Sequence, residues 1–155
     1  MNVSLRDVQE SDLPTLYEHQ RDPEATRMAE FPSRDWDAFS AHWARIITAG
    51  AGTMRTVLFD GNIAGNIVCW QDSGASNVGY WIGREYWGKG IATAALSEFL
   101  KRVPDRPLVA RVTTHNVASI RVLEKCGFII VGEEELALTE GINSGEYVLT
   151  LDSSP

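Results

Sequence analysis

The sequence predicts a mixed α/β fold, in which a central and mostly antiparallel mixed sheet is flanked by about four helices. Three observations predict it. A chain of 155 residues, 44% of them hydrophobic, is long enough to bury one core. Short apolar runs separated by turn signals indicate antiparallel strands in the first half, and amphipathic helices alternate with strands in the second half. We therefore expect a single domain over residues 1–155.

The chain begins with a predicted strand and two predicted helices. Val3–Arg6 alternates as a strand does, and Ser11–Gln20 begins with capping residues ahead of a proline, as a helix does. Asp22–Ser33 is predicted to be irregular because prolines interrupt it. Asp35–Gly50 is predicted as the second helix, since it begins with a capping aspartate, carries an apolar stripe and ends in glycine.

An antiparallel meander follows the helices. Asp60-Gly61-Asn62 between two β-type runs is a strong hairpin signal, which predicts strands at Thr56–Phe59 and Ile63–Trp70. Gln71–Asn77 is predicted to be a polar loop. The next strand is predicted at Asn77–Ile82.

The second half alternates helices with strands. Apolar residues recur at helical spacing over Ile91–Val103, and Leu108–Thr113 is predicted as a strand. Asn116–Lys125 is predicted as a helix, because it begins with a capping asparagine and a glycine stop follows it. The last strands and their turn are predicted at Phe128–Val131, Glu146–Leu151 and Gly141–Gly145.

Composition narrows the class of partner. The net charge of −7 argues against nucleic acid, whose phosphates need clustered Lys and Arg, and is compatible with a cationic amine as substrate. Two cysteines, Cys69 and Cys126, and three scattered histidines form neither a disulfide framework nor a metal-ligand cluster. Because there is no apolar run of about 18 residues and no signal-peptide core, we expect a cytoplasmic protein with no membrane segment and no metal.

The most informative segment is Tyr86–Thr93, which lies between a predicted strand and a predicted helix. The N–H groups of such a turn and of the first helical turn point at one spot, where the helix dipole favours negative charge. Gly88 and Gly90 let the backbone approach a phosphate with no Cβ in the way. The segment therefore predicts a site for a phosphate-bearing ligand.

Three classes of phosphate-bearing ligand use such a turn. Gly83–Lys89 has the P-loop spacing for a nucleotide, but Gly90 stands where Ser or Thr would ligate Mg²⁺. A dinucleotide site needs GxGxxG, whereas the third glycine is here replaced by Thr93. The pyrophosphate of coenzyme A is the third ligand.

Two motifs together resemble the GNAT superfamily of N-acetyltransferases. Gly88–Thr93 opens a helix, and one predicted strand later Asn116–Phe128 carries Asn, Ser, Leu, Lys and Gly-Phe in the family's order and spacing. The resemblance covers about Val78 to Phe128 and is greatest to the ribosomal-protein-alanine N-acetyltransferase branch. It implies a sheet with splayed middle strands, acetyl-CoA as co-substrate, and direct transfer of the acetyl group to a primary amine. The acceptor is a protein N-terminus or a small amine.

The resemblance also implies roles for individual residues. Ser119 is placed near the coenzyme sulfur, where it helps the thiolate to leave, and Asn116 contacts the pantetheine while capping its helix. A backbone N–H near Trp81 or Ile82 is the expected donor to the oxyanion, and sheet packing accounts for one ring of the Tyr80-Trp81 pair. The implied cofactor-binding residues are Trp81, Ile82, Trp87, Gly88, Lys89, Gly90, Ile91, Ala92, Thr93, Asn116 and Ser119.

Two positions depart from the family pattern, and the general base is left open. Glu85 stands where the family's turn motif has Gln or Arg, which puts that position's contribution to phosphate binding in question. Leu123 stands where many members carry a tyrosine as general acid. The candidates for the base that deprotonates the amine are His115, Glu146, Tyr147 and a water chain. A covalent route through cysteine is disfavoured, since no His–Asp pattern surrounds Cys126.

The acceptor is expected between the first two helices and the last hairpin, with walls from Arg27–Phe31 and from the helix that carries Trp36 and Trp43. A non-catalytic CoA-sensing domain is the alternative function, because it would keep the turn and Asn116 without turnover. A homodimer is the default expectation for the assembly.

Overall fold

The computed structural model describes residues 2–29, 34–49, 52–72, 74–139 and 142–152. The strands are β1 (Val3–Asp7), β2 (Thr53–Phe59), β3 (Asn62–Asp72), β4 (Ala75–Ile82), β5 (Leu108–Thr113), β6 (Ile129–Thr139) and β7 (Ile142–Leu151). The α-helices are α1 (Leu13–Arg21), α2 (Pro23–Ala29), α3 (Trp36–Ala49), α4 (Ile91–Arg102) and α5 (Val117–Lys125). Short 3-10 helices occupy Glu10–Asp12 and Arg84–Tyr86.

The strands form one seven-stranded sheet in the order β1-β2-β3-β4-β5-β7-β6. Every neighbouring pair is antiparallel except β4 and β5, which run parallel. The β2–β3 hairpin turns at Asp60 and Gly61, whose φ angles of 51° and 82° are the left-handed values that the Asp-Gly signal predicts. The predicted mixed, mostly antiparallel sheet is therefore confirmed.

Helices cover both faces of this sheet. On β3, Ile67 and Cys69 belong to the larger apolar core, while Val68 between them packs against the smaller one. Because successive side chains of a strand point to opposite faces, the two cores lie on opposite sides. The larger core takes the buried sides of α4 and α5, and the smaller core is built from α1 and α3 through Leu13, Leu16, Phe39 and Trp43. Within the described part of the chain, no helix has both the length and the apolar character needed to span a membrane.

The segment predicted to be irregular contains a helix. Residues 23–29 form α2, and Asp22 accepts a hydrogen bond from the N–H of Ala25 at 3.3 Å. Pro23 is the first helical residue, where a missing N–H costs nothing, so the proline starts a helix rather than interrupting one. This helix brings the number of described α-helices to five, where about four were predicted. Residues 30–33 of the predicted segment lie outside the described residues.

Two predicted loops are wrong for a similar reason. β3 continues to Asp72 and β4 begins at Ala75, so the predicted loop Gln71–Asn77 is mostly paired strand. Near the end of the chain, β6 runs to Thr139 and β7 begins at Ile142, so residues 142–145 of the turn predicted at Gly141–Gly145 lie in a strand, while Gly141 is outside the described residues. The β3–β4 hairpin ends in polar residues, and polarity alone does not distinguish a paired strand from a loop. In β7, Asn143, Ser144 and Gly145 are turn-forming residue types, yet they pair with β6.

A buried carboxylate fastens the first helical segment to the sheet. The side chain of Asp12 accepts hydrogen bonds from Arg6 at 2.7 and 2.8 Å, from the N–H of Gln9 at 2.8 Å and from Thr56 at 2.7 Å. Burial by itself would raise the pKa of Asp12, but these hydrogen bonds, that of Arg6 foremost, hold it below its usual value. The charged form of Asp12 is therefore the one that the fold stabilises.

Candidate active site

The parallel pair in the middle of the sheet separates soon after it begins. β4 and β5 pair at Ser76 with Leu108 and at Asn77 with Val109, and the pairing goes no further along either strand. The remaining length of β4 therefore faces a gap in the sheet, as the predicted splay requires. A cavity of about 580 Å³ lies there, between β4 and the first turns of α4 and α5.

Alternation along β4 determines which of its peptide groups face the gap. The N–H of Gly83 donates to the carbonyl of Ala64 at 2.8 Å, so odd-numbered residues of β4 bond to β3. The peptide groups of Ile82 and Tyr80 consequently point the other way, into the gap. The carbonyl of Ile82 already accepts from Nε1 of Trp87 at 2.8 Å. Of the two residues predicted to supply an oxyanion donor, Ile82 directs its N–H towards the cavity and Trp81 directs its own towards β3.

The glycine turn forms one end of the cavity. Gly88 and Gly90 have φ angles of 74° and 78°, and a Cβ added at Gly88 would meet no protein atom within 4 Å. The first bond of the α4 ladder runs from the N–H of Ala94 to the carbonyl of Gly90 at 3.1 Å. The amides of Ile91, Ala92 and Thr93 therefore lack an intrahelical partner, and these residues line the cavity. This is the geometry of an anion site.

The charge of the cavity suits the same ligand. Arg121 and Lys125, one turn apart on α5, line it, and no carboxylate side chain is among the described residues that do. The cavity is thus locally positive in a chain whose net charge is −7. Glu85 lines a different depression, together with Glu18, His19, Asp22 and Arg84. The acidic residue at this departure from the family motif therefore does not face the turn's amides.

The start of α5 places Ser119 beside a tyrosine of β4. Oδ1 of Asn116 accepts from the N–H of Ser119 at 3.3 Å, which confirms the predicted cap. Oγ of Ser119 lies 2.6 Å from the phenol oxygen of Tyr80. Burial raises the pKa of Tyr80 to about 12 against the opposing effect of the Ser119 hydrogen bond, so the phenol keeps its proton at neutral pH.

Neither the usual tyrosine position nor a cysteine supplies reactive chemistry here. Leu123 is 1% exposed and belongs to the larger core, so its position does not open on the cavity. Burial raises the pKa of Cys69 to about 11 and also raises that of Cys126, so both remain neutral thiols. In the part of the chain that the structure describes, no three His, Cys, Asp or Glu residues form a metal-binding group.

The structure separates the candidates for the base and for the acceptor wall. His115 lines the cavity, whereas Glu146 and Tyr147 do not, and a carboxylate oxygen of Glu146 lies 3.8 Å from Arg111. Met28 of α2 lines the cavity, and its carbonyl accepts from Thr113 at 3.0 Å. The second proposed wall does not reach the cavity: the tryptophans of α3 pack with Tyr17 and Phe39.

The cavity brings together nearly all of the residues predicted to bind the cofactor. Lys89 is the exception, since it is exposed and does not line the cavity. Those that line it are Trp81, Ile82, Trp87, Gly88, Gly90, Ile91, Ala92, Thr93, Asn116 and Ser119.

Met28 lies in the predicted wall Arg27–Phe31, whereas sequence reasoning missed Arg121, Lys125 and the contact of the Tyr80 hydroxyl with Ser119. The two cations carry a readable signal, because positions 117, 121 and 125 share one helical face. The contact of the Tyr80 hydroxyl with Ser119 carries no such signal, since it depends on how separate elements pack.

Comparison with known proteins agrees with this geometry. Residues 2–129 match the model of the acetyltransferase (GNAT) domain family. Spermidine N-acetyltransferase from Vibrio cholerae, solved in complex with CoA and spermine, has a TM-score of 0.84 at 17% identity, covering 98% of this chain and 96% of that one. A GNAT-family acetyltransferase from Bacillus anthracis has a TM-score of 0.84 at 18% identity, with coverage of 98% and 95%. The yncA protein from Salmonella typhimurium, solved with its cofactor acetyl-CoA, has a TM-score of 0.76 at 17% identity, with coverage of 97% and 93%. No curated protein sequence matches the chain significantly.

Proposed function

This chain belongs to the GNAT family of acetyltransferases, and from that premise we propose that it transfers an acetyl group from acetyl-CoA to a primary amine by direct attack. The main support for this proposal is the shape of the cavity. A single cavity joins the anion site of the glycine turn to the open side of β4. A long ligand with phosphates at one end and a thioester at the other fits that arrangement.

Each part of the cofactor has a matching group in the cavity. The amides of the glycine turn and of the first turn of α4 bind the pyrophosphate, and Arg121 and Lys125 add positive charge. The pantetheine arm runs along the open edge of β4 and reaches Asn116. The thioester carbonyl then lies near the N–H of Ile82, which stabilises the oxyanion as the amine attacks.

The reaction needs two protons to leave the ammonium, one before the attack and one as the amide forms, and a stabilised leaving group. A primary amine has a pKa near 10, so it arrives mostly protonated and must lose a proton before it attacks. His115 is the titratable residue at the cavity among the candidates, and we propose it as the base, directly or through water. As the N–C bond forms, the C–S bond breaks and its electron pair moves to sulfur, beside Ser119. The neutral thiols of Cys69 and Cys126 support direct transfer rather than an acyl-cysteine intermediate.

The identity of the acceptor is the finer part of the proposal. A small amine and a peptide N-terminus both present a cation to the wall that α2 forms at Met28. The Vibrio cholerae neighbour was solved with spermine, which makes polyamines one class to test. Peptides beginning with alanine represent the ribosomal-protein branch that the sequence motifs resemble.

The test is release of free thiol from acetyl-CoA in the presence of polyamines, amino acids, aminoglycosides and alanine-initiated peptides. Thiol release that depends on one class, together with the mass of an acetylated product, supports the proposal and names the acceptor. Tight binding of acetyl-CoA without turnover on any class would instead favour the non-catalytic CoA-binding alternative, which the buried Leu123 makes a specific competitor.

A further inference from the structure

The phenol of Tyr80 makes a contact that sheet packing does not require. Its oxygen lies 2.6 Å from Oγ of Ser119 and 3.5 Å from the Ser119 carbonyl, although the two residues are 39 positions apart. One residue comes from β4 and the other from α5, so the hydrogen bond spans the splay of the sheet. Both side chains line the cavity, and the ring also packs against the larger core.

The direction of this hydrogen bond follows from the two hydroxyl groups. A phenol is far more acidic than an aliphatic alcohol, so Tyr80 is the better donor and Ser119 the better acceptor. Burial keeps the phenol protonated, which maintains it as the donor across the neutral pH range. When Oγ of Ser119 accepts from Tyr80, the hydrogen of Ser119 must turn elsewhere, and the open side available to it is the cavity.

We propose that Tyr80 is a positioning residue for the transfer reaction, in which its phenol orients the hydroxyl of Ser119 so that Ser119 donates to the departing sulfur. The inference rests on the proposed function. As the thioester C–S bond breaks, the electron pair goes to sulfur and the Ser119 O–H bond points at it. No proton leaves Tyr80: the ammonium gives one proton to the base before it attacks and loses a second to water as the amide forms, and the thiolate later takes one proton from water.

The arrangement also accounts for the leucine at position 123. A tyrosine there would need a route to the cavity, but Leu123 is 1% exposed within the core. The described residues at the cavity include no carboxylic acid that could donate to the sulfur. A hydroxyl polarised by a second hydroxyl is a stronger donor than either alone, because hydrogen bonds in a chain reinforce one another. The Tyr80–Ser119 pair thus supplies the hydrogen-bond donor to sulfur that a tyrosine at position 123 would otherwise provide.

The first experiment measures the pKa of the thiol of bound CoA and needs no acceptor. The ultraviolet absorbance of the thiolate is followed as a function of pH for CoA bound to the wild type, Tyr80→Phe, Ser119→Ala and the double variant. A positioned donor lowers the pKa of the bound thiol, so Tyr80→Phe and Ser119→Ala should each raise it by about one unit relative to wild type. In the double variant the shift should equal that of Ser119→Ala, since Tyr80 acts only through Ser119.

A matched control keeps this test specific. Tyr17→Phe removes a phenol from the aromatic cluster with Trp36 and Phe39, outside the cavity, and should leave the bound thiol unchanged. Acetyl-CoA affinity should also stay within about twofold in Tyr80→Phe, because the pyrophosphate site is untouched. Once an acceptor is known, Tyr80→Phe should lower kcat about tenfold with KM for acetyl-CoA unchanged.

The outcomes separate the two proposals. If CoA does not bind to the wild type, the proposed function fails and the role of Tyr80 fails with it. If CoA binds and its thiol has the same pKa in wild type and Tyr80→Phe, the role of Tyr80 is wrong while the cofactor proposal stands. Additive shifts in the double variant would also overturn it, since they would mean that Tyr80 reaches the sulfur independently of Ser119.

Discussion

At the scale of single residues, Gly88 is required both for its left-handed backbone conformation and for the approach of the ligand. Gly88 has a φ of 74°, and the space beyond its missing Cβ holds no protein atom within 4 Å. Gly61, in the β2–β3 hairpin, has the same two properties, with a φ of 82°. The two glycines impose the same strain on a replacement side chain and differ in that Gly88 alone lines the cavity.

We therefore expect Gly88→Val and Gly61→Val to lose similar stability but to differ in ligand binding. A branched side chain at 88 blocks approach to the amides, so the Kd for acetyl-CoA should rise about 100-fold through the loss of two charge-assisted hydrogen bonds. Gly61→Val should bind like the wild type. Calorimetric titration of both folded variants measures the two Kd values. Equal affinities would mean that the pyrophosphate does not bind at this turn.

Asp12 supports a prediction about stability at the same scale. It is 1% exposed and accepts four hydrogen bonds, from Arg6, Gln9 and Thr56. Asp12→Asn removes the charge that these donors satisfy and should lower the free energy of unfolding by about 2–4 kcal/mol. Asp7→Asn is the matched control, because the Asp7 carboxylate is largely exposed in its pair with Arg55. Urea denaturation compares the two, and an equal effect would mean that burial of Asp12 contributes nothing.

At the scale of elements, a side-chain hydrogen bond from β5 holds α2 in place as a wall of the cavity. Oγ1 of Thr113, at the end of β5, donates to the carbonyl of Met28 at 3.0 Å, and Thr113 is 4% exposed. The hydrogen bond fixes the last turn of α2 over the splay. Since α2 contributes Ala25 and Met28 to the cavity, loosening this tie should affect the acceptor side more than the cofactor side.

Thr113→Val, which keeps the shape and removes the donor, should raise KM for the amine by about threefold to tenfold with the Kd for acetyl-CoA unchanged. Thr113→Ser keeps the hydroxyl and should behave like the wild type. Steady-state kinetics with the identified acceptor provides the measurement. A rise in the Kd for acetyl-CoA with an unchanged KM for the amine would place α2 on the cofactor side instead.

Elements whose structure is set by neighbouring residues are predictable from the sequence. The turn Gly88–Thr93 and the cap at Asn116 are predictable because each is specified by neighbouring residues. The helix that begins at Pro23 is not predicted, because a proline interrupts a helix from within, whereas it suits the first helical position. The Tyr80–Ser119 contact was not predictable, because it depends on how far β4 and β5 splay, and no local pattern encodes that distance.

At the scale of the whole molecule, His19 links stability to pH. The residue is 7% exposed, its Nδ1 atom is buried without a hydrogen-bond partner, and its carbonyl accepts from Trp81 across the α1–β4 contact. Burial lowers the pKa of His19, against a weaker raising effect of Glu85. The folded-state pKa thus lies below the unfolded value of about 6.5. Its stability contribution is therefore present above that pH and is lost as the pH falls through the folded value.

We expect the melting temperature to fall between about pH 7 and pH 5 in the wild type and to fall less in His19→Phe, which cannot take up a proton. His42→Gln is the comparison variant, and it should change the slope less than His19→Phe does. Burial and the neighbouring Arg34 and Arg45 also lower the pKa of His42, but the residue is only half-buried on α3. Thermal melts over the pH series decide the matter, and an unaltered slope in His19→Phe would assign the pH dependence to another group.

The net charge of the whole molecule has the same sign as that of the proposed ligand, so the two repel each other at long range. The net charge is −7, yet the cavity is lined by Arg121 and Lys125 and by no described carboxylate. Recognition of the phosphates therefore depends on local amides and cations rather than on the overall field of the protein. Binding should accordingly be specific to ligands that combine phosphates with a pantetheine arm.

The most direct measurement of the central claim is a thermal-shift titration with acetyl-CoA, CoA and Mg-ATP in parallel. We expect the melting temperature to rise with both CoA species and to keep rising with concentration, because a ligand that binds only the folded state stabilises it in that way. Mg-ATP should produce no comparable rise. A rise with Mg-ATP alone, and none with either CoA species, would contradict the account and make the near-P-loop spacing of Gly83–Lys89 the true signal.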